Sequence, residues 1–212
     1  MSAKKIMIVP QIDPGRRLWL TATSVAGGAG LVATAVPFVA SMAPSERARA
    51  MGAPLEVDVS GITPGELRTL DWRGQPVLVL RRSQEMIDSL ARHDNLLADP
   101  ASHRSDQPKY ALNSDRSIKP AIAVMVGICT HLGCIPTFRP VPGAPDMGAT
   151  WPGGFYCPCH GSKFDLAGRV FKNVPAPTNL VVPPYHFSSE TKLVIGLDPA
   201  PNMLKFPQAS AK

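Results

Sequence analysis

Two short runs, CTHLGC beginning at Cys129 and CPCHGS beginning at Cys157, contain all four cysteines of the 212-residue chain, and each run also holds one histidine. Cys129 and His131 are two residues apart, so both side chains can point to one side of an extended segment. Cys157 and His160 are three residues apart, and a glycine follows each motif and permits a close turn. The two runs are therefore expected to converge on one centre that offers two thiolates and two imidazoles.

Three kinds of site are compatible with such a set of residues. A disulfide scaffold is possible if the domain is exported, because oxidation is then available, but it leaves the histidines unexplained. A zinc site with two Cys and two His ligands usually pairs Cys with Cys and His with His at short spacing, whereas each run here mixes the two. A [2Fe–2S] cluster with one iron held by two Cys and the other by two His fits the mixed pattern best.

The segment Leu18–Ala40 contains no charged residue over 23 positions. At about 1.5 Å per residue, a helix of this length can cross a hydrocarbon core of about 30 Å, so residues 18–40 are predicted to be a transmembrane anchor. A cleaved signal peptide, with a weak processing site near VASMA, and a buried helix are the alternatives.

Positive charge precedes this segment, at Lys4, Lys5, Arg16 and Arg17. Because basic flanks stay in the cytoplasm, residues 1–17 are predicted to be a cytoplasmic N-terminus and the remainder to lie across the membrane. The Arg16–Arg17 pair before an apolar run is also typical of a twin-arginine export signal, although it could be an ordinary juxtamembrane pair.

The formal net charge of +6 is spread along the chain without a run of five or six Lys or Arg. A nucleic-acid partner is therefore not expected. Proline (23) and glycine (17) are abundant and aromatic residues make up only 6%, which favours a mainly β, loop-rich fold over a helical bundle.

Residues 41–54 are small, polar and interrupted by proline, which indicates a flexible hinge between the anchor and a folded domain over residues 55–212. Strand alternation over residues 55–60 and the apolar run 77–80, which follows a turn sequence, together suggest a hairpin. Ser83 is predicted to cap a helix from Gln84 to Leu97.

The remaining segments lead to the first cysteine run. The polar stretch 98–120 is predicted to be a loop, and AIAVMVGI at 121–128 is predicted to be a buried strand that ends directly before Cys129. A mainly β domain with one helix–loop insertion follows from this order of elements.

The two cysteine runs, together with WRGQPVLVLRR, the stretch from Cys157 through VPAPTNLVVPP and the apolar anchor, closely resemble the Rieske iron–sulfur subunit of the proteobacterial ubiquinol–cytochrome c oxidoreductases, and the resemblance covers almost the whole chain. It implies an N-terminal transmembrane helix, a hinge, and an antiparallel β domain with an inserted cluster-binding subdomain over about residues 127–180. It also implies one Rieske-type [2Fe–2S] cluster per subunit.

The resemblance assigns roles to individual residues. By analogy with the family, Cys129 and Cys157 would hold the inner iron, and His131 and His160 the outer iron. Cys134 and Cys159 would form a disulfide between the two loops. Further roles fall to Ser162, which would hydrogen-bond a bridging sulfide, Leu132, which would shield the cluster and meet the quinone pocket, and Pro175, in the proline-rich loop that covers the cluster.

One position departs from the family pattern. Many members have tyrosine two residues after the serine, with its hydroxyl bonded to a ligating sulfur, whereas this chain has Phe164. A reduction potential below that of the tyrosine-bearing relatives is therefore expected.

The implied activity is that of one subunit of a membrane-bound oxidoreductase and translocase. Ubiquinol would hydrogen-bond to His160 or His131 and give up one electron with a proton, and the domain would swing on its hinge to a cytochrome c1 haem, while cytochrome b takes the second electron. The partners implied are cytochrome b, cytochrome c1 and the bacterial inner membrane, in a dimeric complex with the domain in the periplasm. The Rieske small subunit of a periplasmic arsenite oxidase is the alternative, whereas a soluble Rieske ferredoxin would lack the additional cysteine pair and the anchor.

Overall fold

The computed structural model describes residues 13–45, 48 and 52–200. Most of the predicted cytoplasmic N-terminus, five positions of the predicted hinge and residues 201–212 of the predicted domain lie outside the described residues. The chain divides into two compact units between residues 49 and 50.

The first unit is built on one long helix, α1 (Pro14–Ser41). Asp13 caps it by accepting hydrogen bonds from the backbone N–H groups of Gly15 and Arg16, and Pro14 at the first helical position loses no hydrogen bond there. The helix has 28 residues, or about 42 Å, and is long and apolar enough to cross a membrane. It contains the whole of the segment 18–40 that was predicted to span.

The described part of the second unit is mainly antiparallel β structure in three three-stranded sheets. The sheets have the strand orders β1–β9–β8, β2–β3–β4 and β5–β6–β7. Their bounds are β1 (Leu55–Asp58), β2 (Leu67–Trp72), β3 (Gln75–Arg81), β4 (Ile122–Val126), β5 (Thr137–Arg139), β6 (Gly154–Tyr156), β7 (Lys163–Phe164), β8 (Tyr185–Phe187) and β9 (Lys192–Ile195). The mainly β class expected from composition is confirmed.

The predicted hairpin between residues 55–60 and 77–80 is wrong. Strand β1 pairs instead with β9, Leu55 lying opposite Ile195, and the hairpin partner of β3 is β2. The turn sequence was recognised correctly, because Arg73 and Gly74, both with positive φ, connect β2 to β3. Residues 67–72 lack a clear alternation, which hid the true partner.

The β2–β3–β4 sheet separates two cores. Val77 and Val79 of β3 pack into one core with Trp72 and Tyr185, while Leu78 and Leu80 pack into the other, where both free cysteines lie. Strand β4 is buried along its whole length, as the apolar run 121–128 predicted. It therefore leads the chain from the middle of the domain straight to Cys129.

The helix predicted from Gln84 to Leu97 is shorter in the structure. Helix α2 (Gln84–Leu90) begins at the Ser83 cap as expected, and a single 3-10 turn, Asp94–Leu96, follows after a break. The break has a physical cause, because the carbonyl of Leu90 and the carboxylate of Asp94 both accept hydrogen bonds from the buried guanidinium of Arg169. The predicted loop 98–120 is irregular apart from one 3-10 turn, Lys109–Ala111.

Candidate metal centre

The two cysteine runs form loops with the same backbone hydrogen bonds. In the first loop (129–134) and the second loop (157–162), the N–H of the leading cysteine donates to the carbonyl five residues later, at 2.7 and 2.8 Å respectively. The glycine four residues on, Gly133 or Gly161, donates back to the leading cysteine's carbonyl at 3.0 Å in both loops. Both glycines have positive φ, of 84° and 78°, which other residues rarely adopt.

Two thiols and two imidazoles meet where these loops approach each other. Cys129 and Cys157 carry free thiols and are each 2% exposed. His131 is partly exposed and His160 exposed, and their rings lie perpendicular with centroids 4.8 Å apart. The structure thus brings the four predicted ligands to one end of the domain, with sulfur inside and imidazole outside.

A disulfide joins the two loops. Cys134 of the first loop and Cys159 of the second are bonded, 25 residues apart in sequence. This is the pairing implied by the family resemblance, and it accounts for the two cysteines that are not predicted ligands.

The spread of the donor atoms argues against a single zinc ion. Among the described residues, the one set of three Cys, His or carboxylate side chains with ligand atoms all within 4.8 Å of one another is Cys134, Cys157 and Cys159, and two of these are already in the disulfide. Ligand atoms around one tetrahedral zinc would lie about 3.5 Å apart. No three of the four candidate donors lie within 4.8 Å of one another, so their arrangement does not match a single tetrahedral zinc site.

The environment of the buried thiols favours a cationic ligand. Burial raises the pKa of the Cys129 thiol, and the neighbouring Cys157 adds to this effect. Two adjacent thiols in an apolar core would resist ionisation, and bound iron is the counter-charge that makes thiolates stable there. The donor set, two thiols and two imidazoles, therefore fits a [2Fe–2S] cluster of mixed ligation.

Ser162 and the proline-rich segment form a cover over both loops. The Ser162 hydroxyl is fully buried and accepts a 3.0 Å hydrogen bond from the N–H of Ala176, within the third loop (174–180). The Thr130 hydroxyl donates to the carbonyl of Thr178 at 2.7 Å, which ties the first loop to the same segment. Pro175 lies exposed at the surface of this cover.

Asn179 anchors the third loop to the helix–loop insertion. Its buried side-chain amide accepts from the N–H of Val170 and donates to the carbonyl of Asp99 and the hydroxyl of Ser102, at 2.8 to 3.0 Å. The side chain of Arg116 donates to the carbonyl of Leu180 at 2.7 Å. The third loop is therefore held in place by residues of the insertion, which precede the first loop in sequence.

A buried ion-pair network supports the second loop. Asp165 and Arg169 are 0% and 1% exposed and are joined by a 2.8 Å bond, and His93 Nε2 lies 3.2 Å from the same carboxylate oxygen. Burial alone would raise the pKa of Asp165, but the bond to His93 and the charge of Arg169 outweigh it and lower the pKa. Sequence analysis missed these residues, although polar Asp165 between apolar Phe164 and Leu166 is the available signal.

The tip of the first loop is apolar and open. Leu132 is 71% exposed and Ile135 is 59% exposed. Leu132 lies within the first loop and Ile135 directly follows it, and large exposed aliphatic side chains can contribute to a contact surface. Leu132, which follows His131 directly in sequence, is therefore accessible to a partner, and its role at the cluster stays a prediction.

A model of the Rieske [2Fe–2S] domain matches residues 55–186. The chain belongs to the Rieske family of iron–sulfur proteins. The matched range contains both cysteine loops, the disulfide and the proline-rich cover, so the Rieske domain binds its [2Fe–2S] cluster in this part of the fold.

Two curated relatives of the chain have the name of a ubiquinol-cytochrome c reductase subunit. The chain is 56% identical over 183 residues to the ubiquinol-cytochrome c reductase iron-sulfur subunit of Allochromatium vinosum, covering 86% of this chain and 88% of the relative. It is 41% identical to the subunit of the same name from Blastochloris viridis, covering 82% and 88%. A solved chain titled "Hyperthermophilic respiratory Complex III" shares 27% identity and covers 84% of this chain and 98% of its own, but the TM-score of 0.45 is too low to support a structural statement.

Proposed function

We propose that the chain is the iron–sulfur subunit of a quinol–cytochrome c oxidoreductase and that Cys129, Cys157, His131 and His160 hold its [2Fe–2S] cluster. The observation that carries this proposal is the meeting of two buried free thiols and two imidazoles on loops joined by a disulfide. The thiols lie inside and would hold one iron, while the imidazoles lie towards solvent and would hold the other.

When bound, the cluster supplies one-electron chemistry, accepting an electron from ubiquinol and passing it to a cytochrome c1 haem. The chain's own residues control access to the cluster and take up the proton that leaves the quinol. An imidazole that binds iron through one ring nitrogen can accept a hydrogen bond and then a proton from a quinol hydroxyl at its other nitrogen, once that nitrogen has lost its own proton. His160 is the more exposed of the two histidines, so we assign it the quinol hydrogen bond, with His131 as the alternative.

The covering residues tune and protect the site. The buried Ser162 hydroxyl accepts from the N–H of Ala176, so its own proton is free to donate to a cluster sulfur, which would stabilise the reduced state. Leu132 shields the cluster and provides the apolar contact with the quinone pocket. Pro175 lies in a stiff segment that loses little conformational entropy when it is held over the loops.

Helix α1 is proposed to be a retained, single-pass anchor in the bacterial inner membrane, with the N-terminus cytoplasmic and the Rieske domain periplasmic. Its length and apolar composition support the anchor, and the basic residues before the segment support the orientation. The Arg16–Arg17 pair is proposed to direct export of the folded, cluster-loaded domain by the twin-arginine route.

Residues 41–54 are proposed to act as a hinge that lets the domain move between quinol and haem. The domain end of this segment is held, because Trp72 Nε1 donates to the carbonyl of Ala53 at 3.0 Å and Arg73 to that of Gly52 at 3.3 Å. Replacing residues 48–50 with three prolines stiffens the segment. We expect quinol-dependent cytochrome c reduction to slow while the cluster content is unchanged, and unaltered turnover would argue against a moving domain.

The proposed partners are cytochrome b, cytochrome c1, ubiquinol and the membrane, in a dimeric complex. The reductase relatives, at 41% to 56% identity, favour this complex over the alternative arsenite oxidase. Purification of the tagged subunit from its membranes tests the proposal, because b- and c-type haem should co-purify with a reducible cluster visible by electron paramagnetic resonance. A molybdenum-containing partner would establish the alternative instead.

Phe164→Tyr is predicted to raise the reduction potential of the cluster. Phe164 is fully buried in the same apolar cluster as both free thiols, so a hydroxyl added to its ring can bond a ligating sulfur. A net hydrogen bond of about 0.5–1.5 kcal/mol to the reduced state corresponds to about 20–60 mV for a one-electron couple. Potentiometric titration measures the shift.

Phe155→Tyr is the matched control for this prediction. Phe155 is equally buried in that cluster and packs on Phe138 at 5.3 Å, so its variant adds the same hydroxyl at a position without a family role. A potential that stays constant in Phe164→Tyr, or that rises equally in both variants, would show that no specific bond to sulfur forms.

A further inference from the structure

A groove with a basic rim lies against the second loop. It encloses about 400 Å³ and is lined by Gly161, which directly follows His160, and by Lys163 and Lys172. Its wall includes the rings of Trp151 and Phe171, whose centroids lie 5.6 Å apart. The groove therefore adjoins the exposed histidine, and its lining combines two aromatic rings with two cationic side chains.

The two lysines of the groove lack acidic partners. Among the described residues, no carboxylate lies within 4.0 Å of the ammonium of Lys163 or Lys172, and the lining contains no Asp or Glu. Lys172 donates to the carbonyl of Asn95 at 2.8 Å, which holds its ammonium at the groove. By contrast, Lys119 and Lys192 are each paired with a glutamate, at 3.1 and 3.0 Å.

The cluster end of the domain thus presents two chemically different surfaces beside the histidines. One is the apolar tip at Leu132 and Ile135, and the other is the basic groove. A lipid-soluble quinol is suited to the first surface. Lysines without acidic partners in a groove lined by aromatic rings are suited to carboxylates carried on a protein surface.

We propose that the Lys163–Lys172 groove is the docking site for a carboxylate-bearing segment of the haem-carrying electron acceptor; this inference rests on the proposed function. Docking there would bring the acceptor against the second loop, next to His160, and its attraction would weaken with salt. The donor and the acceptor would then be recognised by different chemistry at the same end of the domain.

Coupling with a water-soluble carbodiimide in the intact complex tests the contact directly. This reagent joins an ammonium to a carboxylate as an amide, and mass spectrometry of the digested product identifies the joined residues. Cross-links from Lys163 or Lys172 to acidic residues of the c-type haem subunit are expected. Cross-links to that subunit only from Lys119 or Lys192, or none from the groove lysines, would overturn the proposal.

Kinetics of the intact complex provide the second test, with matched double variants. Lys163→Gln with Lys172→Gln should slow electron transfer from the reduced cluster to the c-type haem about three- to tenfold at low salt, as expected for two exposed charge pairs. The difference should vanish near 1 M salt, where charges are screened within about 3 Å. The control double variant, Lys119→Gln with Lys192→Gln, removes the same charge elsewhere. Its rate of electron transfer to the haem should remain close to that of the unmodified complex.

The outcomes distinguish a failure of docking at the groove from a failure of the proposed function. Equal slowing in both double variants, or none in the groove variant, would overturn docking at the groove. The groove could instead bind only a free anion. In that case, added inorganic phosphate would change the reduction potential of the cluster, while the groove double variant would transfer electrons at the normal rate. This result would also overturn docking at the groove. If the unmodified complex shows no transfer from cluster to haem, the proposed function itself fails.

Discussion

A Cys157→Ser variant is expected to lose the [2Fe–2S] cluster altogether. Cys157 carries one of the two free thiols in the domain core and is 2% exposed, and a serine hydroxyl at that position does not ionise to replace a thiolate. Iron should fall from about two atoms per chain to below about 0.2. Iron analysis and the resonance spectrum of the reduced protein measure the loss.

The disulfide cysteines provide the control for this experiment. Cys134→Ser combined with Cys159→Ser removes two sulfurs at the same site but no predicted ligand. This double variant should assemble a cluster while losing about 3 kcal/mol of stability, because the cross-link no longer restricts the unfolded chain. A cluster retained in Cys157→Ser, or absent only from the double variant, would show that the ligand assignment is wrong.

Arg169→Met is expected to be the most destabilising substitution outside the ligands. It leaves the carboxylate of Asp165, which is fully buried, without its cation and removes donors to Leu90 and Asp94. Breaking a buried ion pair by removing one partner costs about 3–5 kcal/mol, which corresponds to a melting temperature lower by about 10 °C in a domain of this size. Thermal loss of visible circular dichroism measures the change.

Two further variants distinguish the cost of leaving a buried charge unpaired from the cost of losing any ion pair. Arg169→Met with Asp165→Leu removes both charges, and it should recover part of the stability because no unpaired carboxylate remains. Arg139→Met breaks an exposed pair with Asp146, whose atoms lie 3.6 Å apart, and should cost less than about 1 kcal/mol. Equal losses in Arg169→Met and Arg139→Met would refute the importance of burial.

The same ion pair makes the stability of the domain depend on pH in the acid range. The pKa of Asp165 is lowered in the folded state, so its contribution to stability is complete above the unfolded value near 4 and is lost as the pH falls through the folded value. Removing the cation in Arg169→Met raises that folded pKa. The acid unfolding midpoint should therefore move to higher pH in the variant, as fluorescence-monitored acid titration would show.

The shape of the cysteine loops could be read from the sequence more directly than the strand pairing around them. The cysteine loops are local, and each is shaped by a few consecutive residues and one glycine, so their motifs can be read directly. Strand β1 pairs with β9 some 135 residues away, and local alternation contains no information on such a partner. This lack of long-range information explains why residues 55–60 were predicted to form a hairpin with residues 77–80. In the structure, β1 pairs with β9, and β3 forms its hairpin with β2.

Supporting residues were hidden for a related reason. His93 is buried against Asp165, 72 residues further along the chain, and no motif around His93 in the sequence indicates this partner. Arg169 and Asn179 likewise bind backbone groups of the insertion, and only the folded chain shows that these polar side chains have partners inside the core. A polar residue within an apolar stretch was the single hint available.

The perpendicular pair of imidazoles has a consequence for how the domain can work. The two loops have the same backbone form, yet the histidine is the third residue of the first loop and the fourth of the second, and His160 is the more exposed of the two. If the quinol and the haem subunit both dock against His160, as the proposed function requires, the same exposed ring serves both partners. A partner bound there would exclude the other, so electrons would be delivered in separate docking events and not through a continuous chain of contacts.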